Sequence, residues 1–318
     1  SAIDSPIKAT GTADYVADLR LPGMAYGKVL RSPHAHARIR SLDASRAEKL
    51  PGVLGVASRE NTPPAKWGIF IKDEQAFCHE KVRFVGDEVA AVAAESAEIA
   101  EEALSLIQVE YEPLPAAWTP EEAMAEGASA IHEEGKNNHT SEFLVERGDV
   151  DAAFKGADAL FEETFDTHMV HQAYIEPTGV IGQWNEDGTV TVRGPLQSPF
   201  TVREFMLAPG LGMPEEKIQV IQTRSGGAFG GKLDVKLLLV VAFLAKEAGR
   251  PVQILLSPEE DIPTMRPRVP ARFHIRSAFA GDGKLLGKKV DVTADNGAYS
   301  SFSPAIASSM AVRTDSLY

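Results

Sequence analysis

The chain has 318 residues, 44% of them hydrophobic and 24% charged, ordinary proportions for a globular protein with room for two domains. Its formal net charge of −13 excludes a nucleic-acid partner unless a local basic patch overrides the global field. A single cysteine, Cys78, rules out an intrachain disulfide, and it rules out a cysteine-ligated iron–sulfur cluster or multi-cysteine zinc site built from this chain alone.

The apolar run Leu237 to Ala245, bounded by Lys236 and Lys246, is too short to cross a bilayer. The first residues carry neither a basic nor an apolar leader segment, so the expected location is cytoplasmic.

In chain order, Ala25 to Leu30 and Gly52 to Ala57 are short β-capable runs bounded by Pro-Gly pairs. The basic residues Arg31, His34, His36, Arg38 and Arg40 alternate along a strand-like stretch and read as a solvated face. Val89 to Ala94 reads as a buried strand, and Ser96 caps a helix running to Leu106. A strand from Ile107 to Tyr111 ends before Pro113, closing a mixed α+β domain over residues 1–118. Residues 119–145 read as a linker with a short helix, Pro120 to Glu126.

The second region, 146–318, opens with a turn and short helix at Gly148 to Phe154. Strands are expected at Leu160 to Phe165, Gly179 to Trp184 and Thr189 to Gly194, the last two joined as a hairpin through Asn185 to Gly188. A helix at Phe200 to Leu207, a strand at Ile218 to Gln222 and a buried helix at Val235 to Ala248 follow. Further strands fall at Val252 to Leu256, His274 to Phe279 and Leu285 to Ala294. Ser309 to Tyr318 shows no closing turn or cap, which reads as a split subunit, a truncation or a proteolysed chain.

The sharpest feature is Ser225-Gly226-Gly227-Ala228-Phe229-Gly230-Gly231-Lys232, between an expected strand and an expected helix. Glycines permit positive φ and close backbone approach, and amides at a helix head favour an anion. Three readings compete. Gly226 to Lys232 fits the start of a P-loop, but Leu233 stands where the magnesium-binding hydroxyl belongs. A dinucleotide fingerprint fails at Ala228, and a tight turn with no ligand stays open.

The loop resembles the one with which the xanthine dehydrogenase and aldehyde oxidase family approaches its molybdopterin. Further matches run in order. Gly11 to Tyr15, Leu21 to Met24, Arg31 to Ala37 and Gly86 to Ala94 resemble the family's hammerhead domain. His171-Gln172, Ile175-Glu176-Pro177 and Asp295 to Tyr299 resemble the cofactor-binding region that follows.

The resemblance implies an α+β fold, a hammerhead domain followed by the first half of a molybdenum-cofactor-binding domain. It implies hydroxylation of a C–H bond with oxygen from water, the molybdenum being held by the pterin and not by side chains. It also implies a 2Fe-2S protein and an FAD protein as partners, beside the chain carrying the rest of the cofactor domain.

By position, Gln197 matches the glutamine beside the metal's oxo group, and Gly226, Gly227, Ala228, Phe229 and Gly230 match the cofactor loop, with Phe229 shaping the substrate pocket. Arg268, or alternatively Arg266, lies near a substrate-orienting arginine; a surface salt bridge is the competing reading. His171 and Glu176 read as buried hydrogen-bonding residues and Cys78 as inert packing. Purine-hydroxylating members carry glutamate where Leu233 stands, which favours an aldehyde or an aromatic N-heterocycle as substrate. The family's second cofactor loop and its late general-base glutamate segment have no match here, so catalysis by this chain alone is not expected. A non-catalytic module for assembly or cofactor loading is the alternative.

Overall fold

A computed structural model describes residues 4–133 and 137–314. The strands are β1 (Ala25–Arg31), β2 (Ala37–Asp43), β3 (Val53–Ser58), β4 (Lys81–Val82), β5 (Glu88–Ala94), β6 (Gln108–Pro113), β7 (Ala159–Asp166), β8 (Gly179–Trp184), β9 (Val190–Gly194), β10 (Ile218–Gln222), β11 (Val252–Leu255), β12 (Ala271–Phe279) and β13 (Leu285–Ala294). The described residues form two compact units, 4–116 with 171–266, and 117–170 with 267–314.

The first unit is built on a seven-stranded sheet in the order β10-β9-β8-β11-β1-β5-β3. Its centre is a parallel pairing of β1 with β11, which sets Ala25 opposite Val252 and Gly27 opposite Ile254. That pairing joins an early strand to a late one, so this compact unit draws on residues from both sides of residue 118. A second, three-stranded sheet, β4-β2-β6, completes the unit.

Every residue of β5 is buried, because helices cover both sheet faces. With a side-chain period of two, Ala91 and Ala93 join the larger core and Ala90, Val92 and Ala94 the smaller. The smaller core includes Ala100, Ala103 and Leu104 of the helix Ala97–Leu106, whose Ser96 cap accepts from the Ile99 amide as the sequence suggested.

The larger core is organised by the helix Leu237–Ala248, on which Leu237 through Ala245 are all buried. Its backbone lies almost on the strands. A Cβ placed on Gly182 of β8 would stand 2.7 Å from the Val241 carbonyl oxygen, and one on Gly55 of β3 would stand 2.8 Å from the Glu247 carbonyl carbon. The Trp184 indole N–H donates to the Ala242 carbonyl at 2.7 Å and fastens β8 to the same helix.

The second unit carries the antiparallel sheet β13-β12-β7. The helix Val150–Lys155, capped by Asp149, packs on it, with Arg276 over the Phe154 ring at 5.6 Å. The helix Ser303–Arg313 lies where the sequence showed no ending; the final residues 315–318 fall outside the described ones. The helix Pro258–Thr264 was also not foreseen, although its capping box of Ser257 and Glu260 is legible in the chain. Residues 200–207 are helical as expected, but with a π turn at Arg203–Leu207.

Candidate cofactor site

The glycine loop leaves β10 and runs to Lys232, and its conformation is unusual. Gly227, Phe229 and Gly230 have φ of 107°, 50° and 99°. Only the glycines adopt such angles cheaply, so Phe229 holds a costly backbone while its ring stays 64% exposed. An exposed aromatic on a strained turn is not explained by packing.

Beneath the loop lies Lys232, fully buried. Its ammonium donates to the Glu176 carbonyl at 2.8 Å and to Glu176 Oε2 at 3.2 Å, and it sits 4.3 Å from the Tyr174 ring centroid. Burial draws it below its ordinary pKa although Glu176 works the other way. A phosphate-binding lysine must reach outward, and this one is committed inward, which removes the P-loop reading.

The helix-head reading also changes. The helix starts at Leu237, and its preceding residue Lys236 pairs with Glu88 Oε2 at 2.6 Å and Asp87 Oδ1 at 3.5 Å. Any anion at the loop must therefore rely on the loop's own amides and not on a helix dipole.

Those amides are divided in their use. The Gly226 N–H donates to Glu176 Oε2 at 2.7 Å, and the Gly230 and Lys232 N–H groups donate to Gln197 Oε1 at 3.1 and 3.2 Å. The Gly231 N–H closes a turn onto the Ala228 carbonyl at 2.8 Å. Among the described residues none accepts from the amides of Gly227, Ala228 and Phe229. Successive free amides in alternating backbone conformations form the kind of nest that binds an acceptor.

Gln197 completes the arrangement. Its backbone N–H donates to the Lys232 carbonyl at 3.0 Å, and two amides hold its Oε1. This fixes the side-chain amide one way round, because the NH2 group cannot face two N–H donors. What remains is an exposed, uncharged donor. Beside the loop, His171 Nε2, Gln172 Oε1 and Glu176 Oε1 are buried without hydrogen-bond partners, polar atoms that a bound group or water can satisfy. Free amides, an oriented donor and orphaned buried polar atoms fit a polar, pterin-like group.

Other expected residues fall differently. Arg266 is not available to a substrate, because it pairs with Glu74 and, at 3.1 Å, with Asp234. Arg268 belongs to the second unit, where its backbone N–H donates to the Val170 carbonyl at 2.8 Å, and it is exposed. Glu176 is structural, as is His171, whose Nδ1 accepts from the Ala173 amide at 3.1 Å and whose ring lies 4.9 Å from Tyr174. Cys78 is 2% exposed, and burial followed by Asp87 raises its thiol well above the ordinary value. In the basic stretch, Arg38 and Arg40 pair with Glu112 and Arg31 with Glu88. Among the described residues no group of histidines, cysteines and carboxylates is placed to hold a metal ion. Among them, too, no helix is long and apolar enough to cross a membrane.

A sheet crowned by a strained glycine loop, with an amide-held glutamine beside it, frames a polar site able to hold a bound group. Two family descriptions match: "Aldehyde oxidase and xanthine dehydrogenase, a/b hammerhead domain" over residues 10–115, and "Molybdopterin cofactor-binding domain" over residues 131–318. The chain belongs to the xanthine dehydrogenase and aldehyde oxidase family, as part of its molybdopterin-binding subunit.

It is 40% identical over 300 residues to a Bacillus subtilis protein described as a "Probable xanthine dehydrogenase" subunit, covering 94% of this chain and 40% of that one. It is 38% identical over 305 residues to the "Nicotinate dehydrogenase large molybdopterin subunit" of Eubacterium barkeri, covering 96% and 71%. The aldehyde oxidoreductase from Desulfovibrio gigas superposes with a TM-score of 0.91 at 28% identity, over 96% of this chain and 35% of that one. The chain thus spans well under half the length of two of these three relatives.

Proposed function

We propose that this chain provides the first half of the cofactor cradle of a molybdenum hydroxylase acting on an aldehyde or an aromatic N-heterocycle. The observation that carries the reading is Gln197, whose carbonyl is held by the Gly230 and Lys232 amides and whose NH2 is left as an oriented neutral donor. When bound, the molybdenum cofactor supplies the two-electron oxidation, with the inserted oxygen drawn from water.

The chain's own part is binding and orientation. Gln197 would donate to an acceptor of the group, and the amides of Gly227, Ala228 and Phe229 would be free to hold others, with Gly226 and Gly230 shaping the turn. The exposed Phe229 ring offers an apolar wall to a flat substrate. Leu233, half-buried and apolar, favours these substrates over a purine that needs a carboxylate there. The nicotinate and aldehyde enzymes among the relatives fit the same substrate classes.

The names of two relatives describe subunits of larger enzymes, so partner subunits are expected. We assign the remaining molybdopterin-domain chain, a 2Fe-2S protein and an FAD protein to that role, in the cytoplasm. The first two supply, respectively, the second cofactor loop with the general base, and an exit for electrons.

Molybdenum and pterin content, measured on chain purified with and without those partners, tests the proposal. Stoichiometric cofactor on co-expression supports it. Its absence under both conditions, from cells shown to make the cofactor, leaves a non-catalytic assembly module instead.

A further inference from the structure

The loop's shape is imposed from below by one carboxylate. Glu176 touches both ends of the loop. At the first end its Oε2 accepts from the Gly226 amide at 2.7 Å, while its own N–H donates to the Gly226 carbonyl at 3.2 Å. At the far end its carbonyl and Oε2 take the Lys232 ammonium, at 2.8 and 3.2 Å. Lys232 is in turn the residue whose backbone grips Gln197 from both sides, its carbonyl accepting from the Gln197 amide and its N–H donating to Gln197 Oε1.

We propose that Glu176 is a positioning residue: through its buried pair with Lys232 it fixes the glycine loop at both ends and sets which face of the Gln197 amide is presented. The purpose of the clamp rests on the reading of Gln197 as a cofactor donor; its physics does not.

A loop with four glycines in six positions has many accessible conformations, and ordering it costs entropy in proportion. Two ordinary hydrogen bonds donated to Gln197, an exposed side chain, are too weak to hold such a loop against solvent. A buried, charge-assisted clamp is stronger, and breaking it strands a buried charge. Tyr174 closes the clamp from the side, since a Cβ on Gly227 would stand 2.9 Å from its Cβ and one on Gly231 2.9 Å from its ring. The clamp thus leaves the three amides of residues 227–229 unused while committing those on either side.

Hydrogen exchange of the 223–236 segment, read by mass spectrometry on the full chain without cofactor, tests this independently of whether cofactor binds. Glu176→Ala and Lys232→Met should each speed exchange at Gly226, Gly230 and Lys232 by roughly 10- to 100-fold beyond any change in the slowest core amides. The double variant should exceed neither single by more than a few-fold, because both remove one clamp. Glu176→Gln keeps an acceptor for Gly226 but faces the ammonium with a neutral group, so it should protect the Gly226 end and loosen the Lys232 end. If Glu176→Ala does not fold, the contrast between Glu176→Gln and Gln197→Ala decides. Gln197→Ala should release Gly230 and Lys232 while sparing Gly226. Loop exchange that rises only in step with the core, or a Glu176→Gln that behaves like the parent at Lys232, overturns the proposal. Pterin retention in co-expressed material, lowered by Glu176→Ala and restored in part by Glu176→Gln, then asks whether the clamp serves the cofactor.

Discussion

Gly182 is where the sheet and the principal helix come closest, and replacing it with alanine is a sharp test of how the site is spaced. The added methyl would stand 2.7 Å from the Val241 carbonyl oxygen, 2.9 Å from its carbonyl carbon and 3.0 Å from Cγ1. Two of these are backbone atoms, so no rotamer change relieves the clash, and the helix must lift by several tenths of an ångström. Lifting it loosens contacts along a buried face of nine consecutive residues. Overpacking of this kind costs about 1–3 kcal/mol, and a rigid neighbour argues for the upper end. The lower chain entropy of alanine returns up to about 1 kcal/mol. The net expectation is a loss of about 2 kcal/mol, a Tm lower by roughly 4–8 °C for a unit of this size. The site should feel it, because β8 follows Glu176 and the helix follows Lys232. Calorimetry against Gly156→Ala makes the comparison. There the new methyl would meet only the Ala152 carbonyl, at 3.5 Å, and stability should stay within about 0.5 kcal/mol. A Gly182→Ala protein as stable as its parent would refute the close-approach argument.

Other expectations follow from the buried charges. Glu88 is opposed first by burial, but Lys236 and Arg31 outweigh it and hold the carboxyl down at about 2. Its contribution, about 3 kcal/mol, is complete above the ordinary value near 4.5 and is lost as pH falls towards 2. Urea melts of Glu88→Gln from pH 7 to 3 should therefore show a lower plateau and a shallower acid limb; an unchanged limb would count against the pairing. Arg266→Met removes the guanidinium that pairs with buried Glu74 and Asp234 and should cost about 3–5 kcal/mol by the same assay. Glu74 itself is pushed up to about 7 by burial, against the pull of Arg266, so Arg266→Met together with Glu74→Gln should recover part of that loss. Cys78 should ignore a thiol reagent in the native protein and react fully in denaturant, and rapid native labelling would show that its wall is open.

Much of the fold was legible because it is local. The continuous apolar run of β5, the Ser96 cap, the turn at Asn185 to Gly188 and the apolar run of Leu237 to Ala245 are patterns within a dozen residues. Each fixed an element without reference to the rest of the chain. The loop 226–232 and Gln197 were also readable as candidates, since glycine spacing and family motifs are properties of the chain itself. What stayed hidden depends on residues far apart. Glu176 and Lys232 are separated by 56 positions, and nothing in either neighbourhood announces the other.

The same holds for the sheet. β1 and β11 lie more than two hundred residues apart, and only their parallel pairing brings the first region into one unit with residues 171–266. Lys232 shows the difference most clearly. By sequence, Gly226 to Lys232 can aim an ammonium at a phosphate. The tertiary structure supplies a buried carboxylate beneath the loop, and the charge turns inward because an ammonium excluded from water goes where its counter-ion is. Sequence determined which segments are strand, helix and loop; only the packing of distant segments decided which polar groups are consumed within the protein and which are left to meet a ligand.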